Sequence, residues 1–511
     1  MTGTALLILG AALAGQTETT STAPGQARIE ATETSSIAAE ETLADGSFVK
    51  GEFITVGALR VVPKRSFAGV RLGALLQENT LFLAVAPRLD LILLDRRLRI
   101  GLEVPLNFEL YSIRSAADAG TGGGGFDNAG RLRKRDYDEA RDFVKFLSYF
   151  VYGRKEDAVY LAAGQQHNVT LGHGQAMRRY AANVDVNQTR VGVELDAYGP
   201  YGGFELSLAD VTRATLFGVL GFVKPLSLFT SEDNWAARSV SIGFSYATDQ
   251  KAPWALLRNP AVGNAAVGSV VVDEFNAPQA STRSVNLFGV DAEVKVVKTD
   301  SVDLKTYVDF SKLDAGGSGL TLGALGRFNF RSGDTLHLLR TRLEIRSYQA
   351  NFIPSYFDAA YEFQKFLFIP VGGLAGPDVQ TKLQYVLGRG DERRFGVYLE
   401  ATYSLPGWLV FAVALETDSV GQDRHLMIHA EVPLRYLDIF ATYHQRNFTS
   451  LFRLDDNDLI FAGARLQILP ILFLNGRVQK SFEWNSAAFD GLGSYAENFN
   501  YQVDAEFGFQ F

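Results

Sequence analysis

The final residues of this chain alternate without a break. Tyr501, Val503, Ala505, Phe507, Phe509 and Phe511 hold the odd positions, and Gln502, Asp504, Glu506, Gly508 and Gln510 the even ones. Successive side chains of an extended strand point to opposite faces, so this segment has one greasy face and one wet face. The same period of two runs through most of the sequence. Leu98, Ile100, Leu102, Val104, Leu106, Phe108 and Leu110 alternate with Arg99, Gly101, Glu103, Pro105, Asn107 and Glu109. Leu304, Thr306, Val308 and Phe310 oppose Lys305, Tyr307, Asp309 and Ser311, and Leu426, Ile428, Ala430 and Val432 oppose His425, Met427, His429 and Glu431. The strands of a soluble sandwich also alternate but average ~5 residues, whereas a tilted strand crossing a bilayer needs ~10. These segments have the longer length.

Beyond its start the chain has no run of ~18 apolar residues, the length that a membrane helix requires. Its 47% hydrophobic and 21% charged residues match a soluble protein on average, so only their order separates the two cases. The order predicts an all-β chain, a single transmembrane antiparallel β-barrel of about 20 strands (roughly 18 to 22), with short periplasmic turns and longer extracellular loops. Tight turns at Leu405-Pro406-Gly407, Leu434-Arg435-Tyr436 and Leu469-Pro470-Ile471 alternate with longer polar connections at Asp418 to Asp423, Phe448 to Asp458 and Trp484 to Phe499. Counting back from a periplasmic C-terminus gives the same parity. The 37 Phe and 20 Tyr then cover a lipid face and its interfacial girdles.

Residues 1–14 read as a signal peptide: Ala5 to Ala14 is apolar and Ala12-Leu13-Ala14 has the small-x-small pattern, although Met1 to Thr4 carry no basic residue. Residues 15–50, rich in Thr, Ser, Ala and Glu, read as a mobile periplasmic arm, and residues 51–511 as the barrel. Cysteine is absent, which excludes disulfides, thiolate metal sites and a cysteine nucleophile. A net charge of −8 speaks against a nucleic-acid partner, because neutralising phosphates needs a basic surface.

The closing strand, with Tyr501, Phe507, Phe509 and a terminal Phe511, resembles the assembly signal of Gram-negative outer-membrane β-barrel proteins of the porin-like kind. That resemblance implies a place in the outer membrane, lipid as a neighbour, and delivery to the barrel assembly machinery during insertion. It names an assembly class and no particular family. The sequence departs from TonB-dependent transporters, whose substantial plug domain has no counterpart in the short stretch before about Phe67.

Within a barrel, the inner positions decide function. Arg340, Arg342 and Arg346, with Glu344 among them, share one face opposite Thr341, Leu343 and Ile345. At about 6.6 Å between alternate residues they form a basic ladder that could select solutes by charge, or else they pair with inward acids such as Asp309 and Glu400. Leu171-Gly172-His173-Gly174, followed by Arg178 and Arg179, breaks the strand pattern; it is either a constriction loop or a solvated extracellular loop. Three stretches are candidates to plug the lumen: Ser112 to Ala140 with its glycine run, Gly172 to Tyr180, and Ala350 to Asp378. His425 and His429 sit ~13 Å apart along one strand, too far to share a metal, so no metal and no cofactor is expected. No catalytic constellation stands out. The expected function is passive or facilitated diffusion of small hydrophilic solutes, without enzymatic activity. The rivals are a channel for hydrophobic compounds, suggested by Phe82, Leu336, Leu338 and Phe461 at inner positions, and a closed structural or adhesion barrel. A homo-oligomer is left open.

Overall fold

The computed structural model describes residues 66–511 apart from 113–124, 184–189, 261–267, 369–379, 451–457, 486–493 and several shorter stretches. The expected signal peptide (1–14) and arm (15–50), and residues 51–65 of the expected barrel, lie outside the described residues.

Period-two patterning produces a single sheet of 21 antiparallel strands. Its first strand, β1 (Phe67–Gln77), pairs with β2 (Thr80–Leu93) on one side and with the last strand, β21 (Ser494–Gln510), on the other. The sheet is therefore closed, with no free edge. β3 (Leu98–Glu103) and β4 (Leu106–Ser112) continue one register along β2 and are interrupted at Val104 and Pro105. Proline has no N–H to give to a ladder. The two are halves of one stave, and the barrel has 20 strands, as the sequence predicts.

Burial is inverted relative to a soluble protein. On β13 (Ser318–Ser332) and β14 (Thr335–Gln349), Leu322 is 61% exposed and Ile345 56%, while the inward neighbours Thr321 and Glu344 are 2% and 0% exposed. On β21, Tyr501, Phe507 and Phe509 point outward together with Phe511 beyond it, and Asp504 and Glu506 are buried within. The outer wall offers hydrocarbon-compatible side chains, and the charges lie inside.

Both described termini sit at one end, where Phe67 pairs with Gln510. Reversals at this end are tight: β15 (Arg393–Leu405) pairs with β16 (Leu409–Asp418) down to Leu405 and Leu409, and β19 (Asp458–Leu469) with β20 (Leu472–Asn485) down to Leu469 and Leu472. Long connections leave the opposite end. Two of them differ from the sequence reading. Within Trp484 to Phe499 the described residues, 484–485 and 494–499, are strand, because Trp484 pairs with Tyr495 and their rings meet edge to face at 5.1 Å. Such a cross-strand aromatic pair extends the hairpin. Part of Ser112 to Ala140 belongs to the wall: Leu132 bridges to Phe108 and Gly125 to Ser112, so Gly125 to Arg133 lies along β4 where the short β5 (Leu147–Tyr152) does not reach.

Two connections enter the lumen. One runs from β6 (Val159–Gly164) to β7 (Gly192–Tyr198); the other joins β14 to β15 and carries two short helices, α1 (Tyr361–Gln364) and α2 (Lys382–Leu387). They bind each other through backbone: Arg178 N–H donates to the Phe357 carbonyl at 3.0 Å, Phe357 N–H to Ala176 at 3.1 Å, and Ser355 N–H to Gln175 at 2.7 Å. Around that junction Val169, Met177, Tyr180, Tyr356, Phe357 and Tyr361 form an apolar core with Ala247, Leu287 and Leu313 of the wall. Each large side chain so buried contributes about 1.5–3 kcal/mol. Gly172 to Tyr180, and Ala350 as far as Phe368, thus fold inward.

Candidate functional site

The first inward loop is aimed by its glycines. Gly172 (φ 54°) and Gly174 (φ 83°) take left-handed backbone, and a Cβ on Gly174 would lie 2.6 Å from Arg178 Nε. Those conformations are open to glycine at no steric cost. They wrap the chain around Arg178, whose guanidinium reaches Glu344 at 2.5 Å and the His173 carbonyl at 2.6 Å.

Glu344 is the hub of this region. It also accepts Arg346 Nε at 2.8 Å and the Tyr307 hydroxyl at 2.6 Å, while Arg346 donates a further bond to Glu416 at 2.5 Å. The guanidinium groups of Arg178 and Arg346 lie against the Tyr398 ring, 4.4 and 4.7 Å from its centre. Arg342 donates to the His173 carbonyl at 3.2 Å, and Arg179 pairs with Glu400 at 2.6 Å. His173 stacks on Tyr307 at 3.9 Å, within 3.6 Å of Glu293 and 3.5 Å of Asp291. Of the six charged residues singled out from sequence, Arg178, Arg179, Arg342, Glu344 and Arg346 are therefore brought together where loop meets wall, and Arg340 is buried on the same strand as Arg342. The inward acid Glu400 serves the loop's Arg179, and Asp309 accepts a bond from Ser311 at 2.9 Å.

A second set of contacts holds the longer loop. Asp358 accepts Lys382 Nζ at 3.1 Å and Arg446 at 2.5 Å, and Lys382 also donates to the Tyr356 carbonyl at 2.7 Å. Burial pulls the Lys382 amine down to about 8, against the opposing pull of Asp358. Glu362 accepts the Tyr180 hydroxyl at 2.6 Å and pairs with Arg190 at 2.6 Å and Lys365 at 2.7 Å. Burial works to raise its pKa, yet Arg190 and Lys365 hold the carboxyl at about 2. On β17 (His425–Pro433) and β18 (Leu437–Arg446), the His425 and His444 rings meet at 4.4 Å with a 53° tilt and His429 bonds Thr442 at 2.8 Å. Among the described residues no group of three or more His, Cys, Asp or Glu could hold a metal ion.

Among the described residues the other side of the lumen is less filled. Inner positions of β1 and β2 there carry Arg71, Leu75, Gln77 and Arg88. Beside them lies a cavity of about 400 Å³, walled by β1 to β5 and β18 to β21 and bounded by Asn183 of the first inward loop. Arg71, Arg465 and Arg477 line it with Glu103, Asp504 and Glu506, and the charges are paired: Arg71 with Glu103, Arg88 with Asp90 at 2.7 Å, Arg465 with Glu506 at 3.0 Å. The six sequence candidates are not among its lining residues. Sequence reasoning missed this site because its strands alternate like all the others.

No family model matches the sequence, and no curated protein matches it. Among solved structures the chain is similar to the siderophore receptor PirA from Acinetobacter baumannii (8% identity over 88% of this chain and 81% of that one, TM-score 0.35). It is similar to OccK11 (OpdR) from Pseudomonas aeruginosa (9% identity, 87% and 96% covered, TM-score 0.31). A third likeness is to OccAB2 from Acinetobacter baumannii (8% identity, 88% and 98% covered, TM-score 0.29).

Proposed function

We propose that this chain is an outer-membrane channel through which small hydrophilic solutes diffuse, with the hollow side of the lumen as the path. One observation carries the reading: a closed barrel with an apolar outside holds, among its described residues, a cavity of about 400 Å³ lined by charged, amide and aromatic side chains. That volume falls in the range of about 300–1,000 Å³ typical of small-molecule sites. Arg178, Arg179, Arg342 and Arg346 of the packed side act as anchors, since each reaches an acid or a carbonyl of a neighbouring element. Inner apolar residues do not join into a greasy path. Phe82 lies under Arg133, Leu338 packs with Val410, and Phe461 sits in a separate cluster with Phe440.

The test is single-channel conductance of the purified protein in planar bilayers. The channel should conduct, and Asn475→Trp or Asn183→Trp should cut its current by half or more by filling the cavity. A folded protein that passes no current would sink the proposal in favour of a closed structural barrel. Full current through both tryptophan variants would move the path elsewhere.

A further inference from the structure

We infer that the solute fitted by the cavity is neutral and polyhydroxylated, of mono- or disaccharide size. This rests on the channel reading above and names the class of molecule that reading leaves open. Three features of the lining converge on it.

The first is charge compensation. Arg133 and Asp136 pair at 2.8 Å, Lys145 and Asp142 at 2.8 Å, Arg465 and Glu506 at 3.0 Å, and Arg71 holds Glu103. An ion of either sign that enters sheds hydration and meets charges already satisfied by each other, so its desolvation is poorly offset. A hydroxyl carries no net charge and adds a donor to the carboxylate edge or an acceptor to the guanidinium edge of such a pair.

The second is the density of carboxamides. Gln77, Asn107, Asn183, Asn475, Gln479 and Asn500 all line the cavity. A carboxamide has an acceptor oxygen and a two-proton donor, of which Asn107 and Asn475 already give one proton to Asp136 and Asp504, at 2.9 and 2.7 Å; a sugar hydroxyl is itself both donor and acceptor, so neighbouring hydroxyls can meet the remaining proton and the oxygen of one amide. An ion would use one end only. Asn183 is the most telling: its oxygen accepts the Arg190 N–H at 2.6 Å, and its amide nitrogen is buried with no acceptor. A buried donor in that state gains from any solute that supplies an oxygen.

The third is the presence of flat aromatic surface. The lining includes Tyr137, Tyr149 and Phe440, and Tyr149 lies across Gly101 with its hydroxyl anchored on Asp90 at 2.7 Å. The electron-rich face of such a ring favours the polarised C–H face of a pyranose.

Proteoliposome swelling with three solutes of one size and different charge tests the inference: glucose, the anion gluconate and the cation glucosamine. Glucose uptake should exceed both ions severalfold. Asn183→Ala should lower it about threefold to tenfold, the worth of one or two hydrogen bonds. Asn475→Ala, on the wall instead of the loop, should lower it likewise and guards against a loss that only reflects loop packing. Gluconate or glucosamine entering as fast as glucose, in a protein that conducts, would overturn this inference and spare the channel. Glucose uptake unmoved by both alanine variants would also overturn it. Absence of both current and swelling would remove the two together.

Discussion

On the side of β10 (Val240–Leu256) to β18 the lumen is filled as a protein core is filled, and on the side of β1, β2 and β19 to β21 it is lined but left open. Both sides are built from strands with the same alternation. They differ in what stands at the inner positions. The packed side carries Tyr307, Tyr348, Tyr398 and Met427, all buried against inserted loops, and the hollow side Arg71, Gln77, Arg88 and Arg477, which line the cavity. Charges follow the same division. In the packed half one acid, Glu344, gathers Arg178, Arg346 and Tyr307 from three different segments. In the hollow half the acids pair with arginines of nearby strands, as Glu506 does with Arg465. Alternation thus builds the wall, and the contacts made at its inner positions decide where a loop is bound.

The strongest way to break this division is to remove its hub. Glu344→Ala leaves Arg178, Arg346 and Tyr307 without their shared acceptor in a buried site, and breaking a buried pair by deleting one partner costs about 3–5 kcal/mol. The expected result is a lower unfolding temperature in detergent and a conductance raised severalfold, because the first inward loop loses its anchor and a second passage opens. Unchanged conductance would mean that the loop is held by its apolar core alone.

Much of this architecture is legible in the sequence. Parity alone placed Arg340, Arg342, Glu344 and Arg346 inside and Ile345 outside, since a strand leaves no third choice. Turn spacing gave the ends of the barrel, as at Leu405 and Leu469. What parity does not carry is the destination of a loop. Met177 and Phe357 meet at a parallel bridge. They come from connections far apart in the chain, and nothing local to either distinguishes a loop that enters the lumen from one that covers it. The partner of Glu400 was hidden for the same reason: it comes from a loop, as Arg179, and not from the adjacent strand. The cavity was hidden because its lining comes from strands at both ends of the sequence, which parity alone does not bring together.

Acid should loosen the packed half by a smaller and separable amount. Glu362 is held at about 2 in the folded protein against an ordinary value of 4.5. A depressed carboxyl contributes stability that is fully present above about 4.5 and is lost as the pH falls toward 2. The shift corresponds to about 3 kcal/mol at most. The groups facing it are Arg190, Lys365 and the Tyr180 hydroxyl. Glu362→Gln should therefore be less stable than wild type near neutrality, and the gap between the two unfolding curves should close as pH drops through that window. A gap that stays constant from pH 6 to about 2.5 would show that Glu362 is not held by its cationic neighbours.

The smallest effect sharpens the contrast between inside and outside on a single strand. Ile345 follows Glu344 directly on β14 and faces out, 56% exposed. Its replacement by Ala removes apolar area that would rest against lipid. Lipid chains close over the missing carbons, so no cavity is left and only the transfer part of the cost remains, about 1–2 kcal/mol for a side chain of this exposure. Conductance and solute uptake should match wild type, because neither the Glu344 anchors nor the cavity lining is touched. Measured beside Glu344→Ala, the pair separates a loss of wall stability from a loss of loop anchoring at adjacent residues. An Ile345→Ala channel with altered current would show that the wall of β14 does not isolate its two faces, and the division of the lumen into a bound half and an open half would then depend on the surrounding lipid as well as on the residues inside.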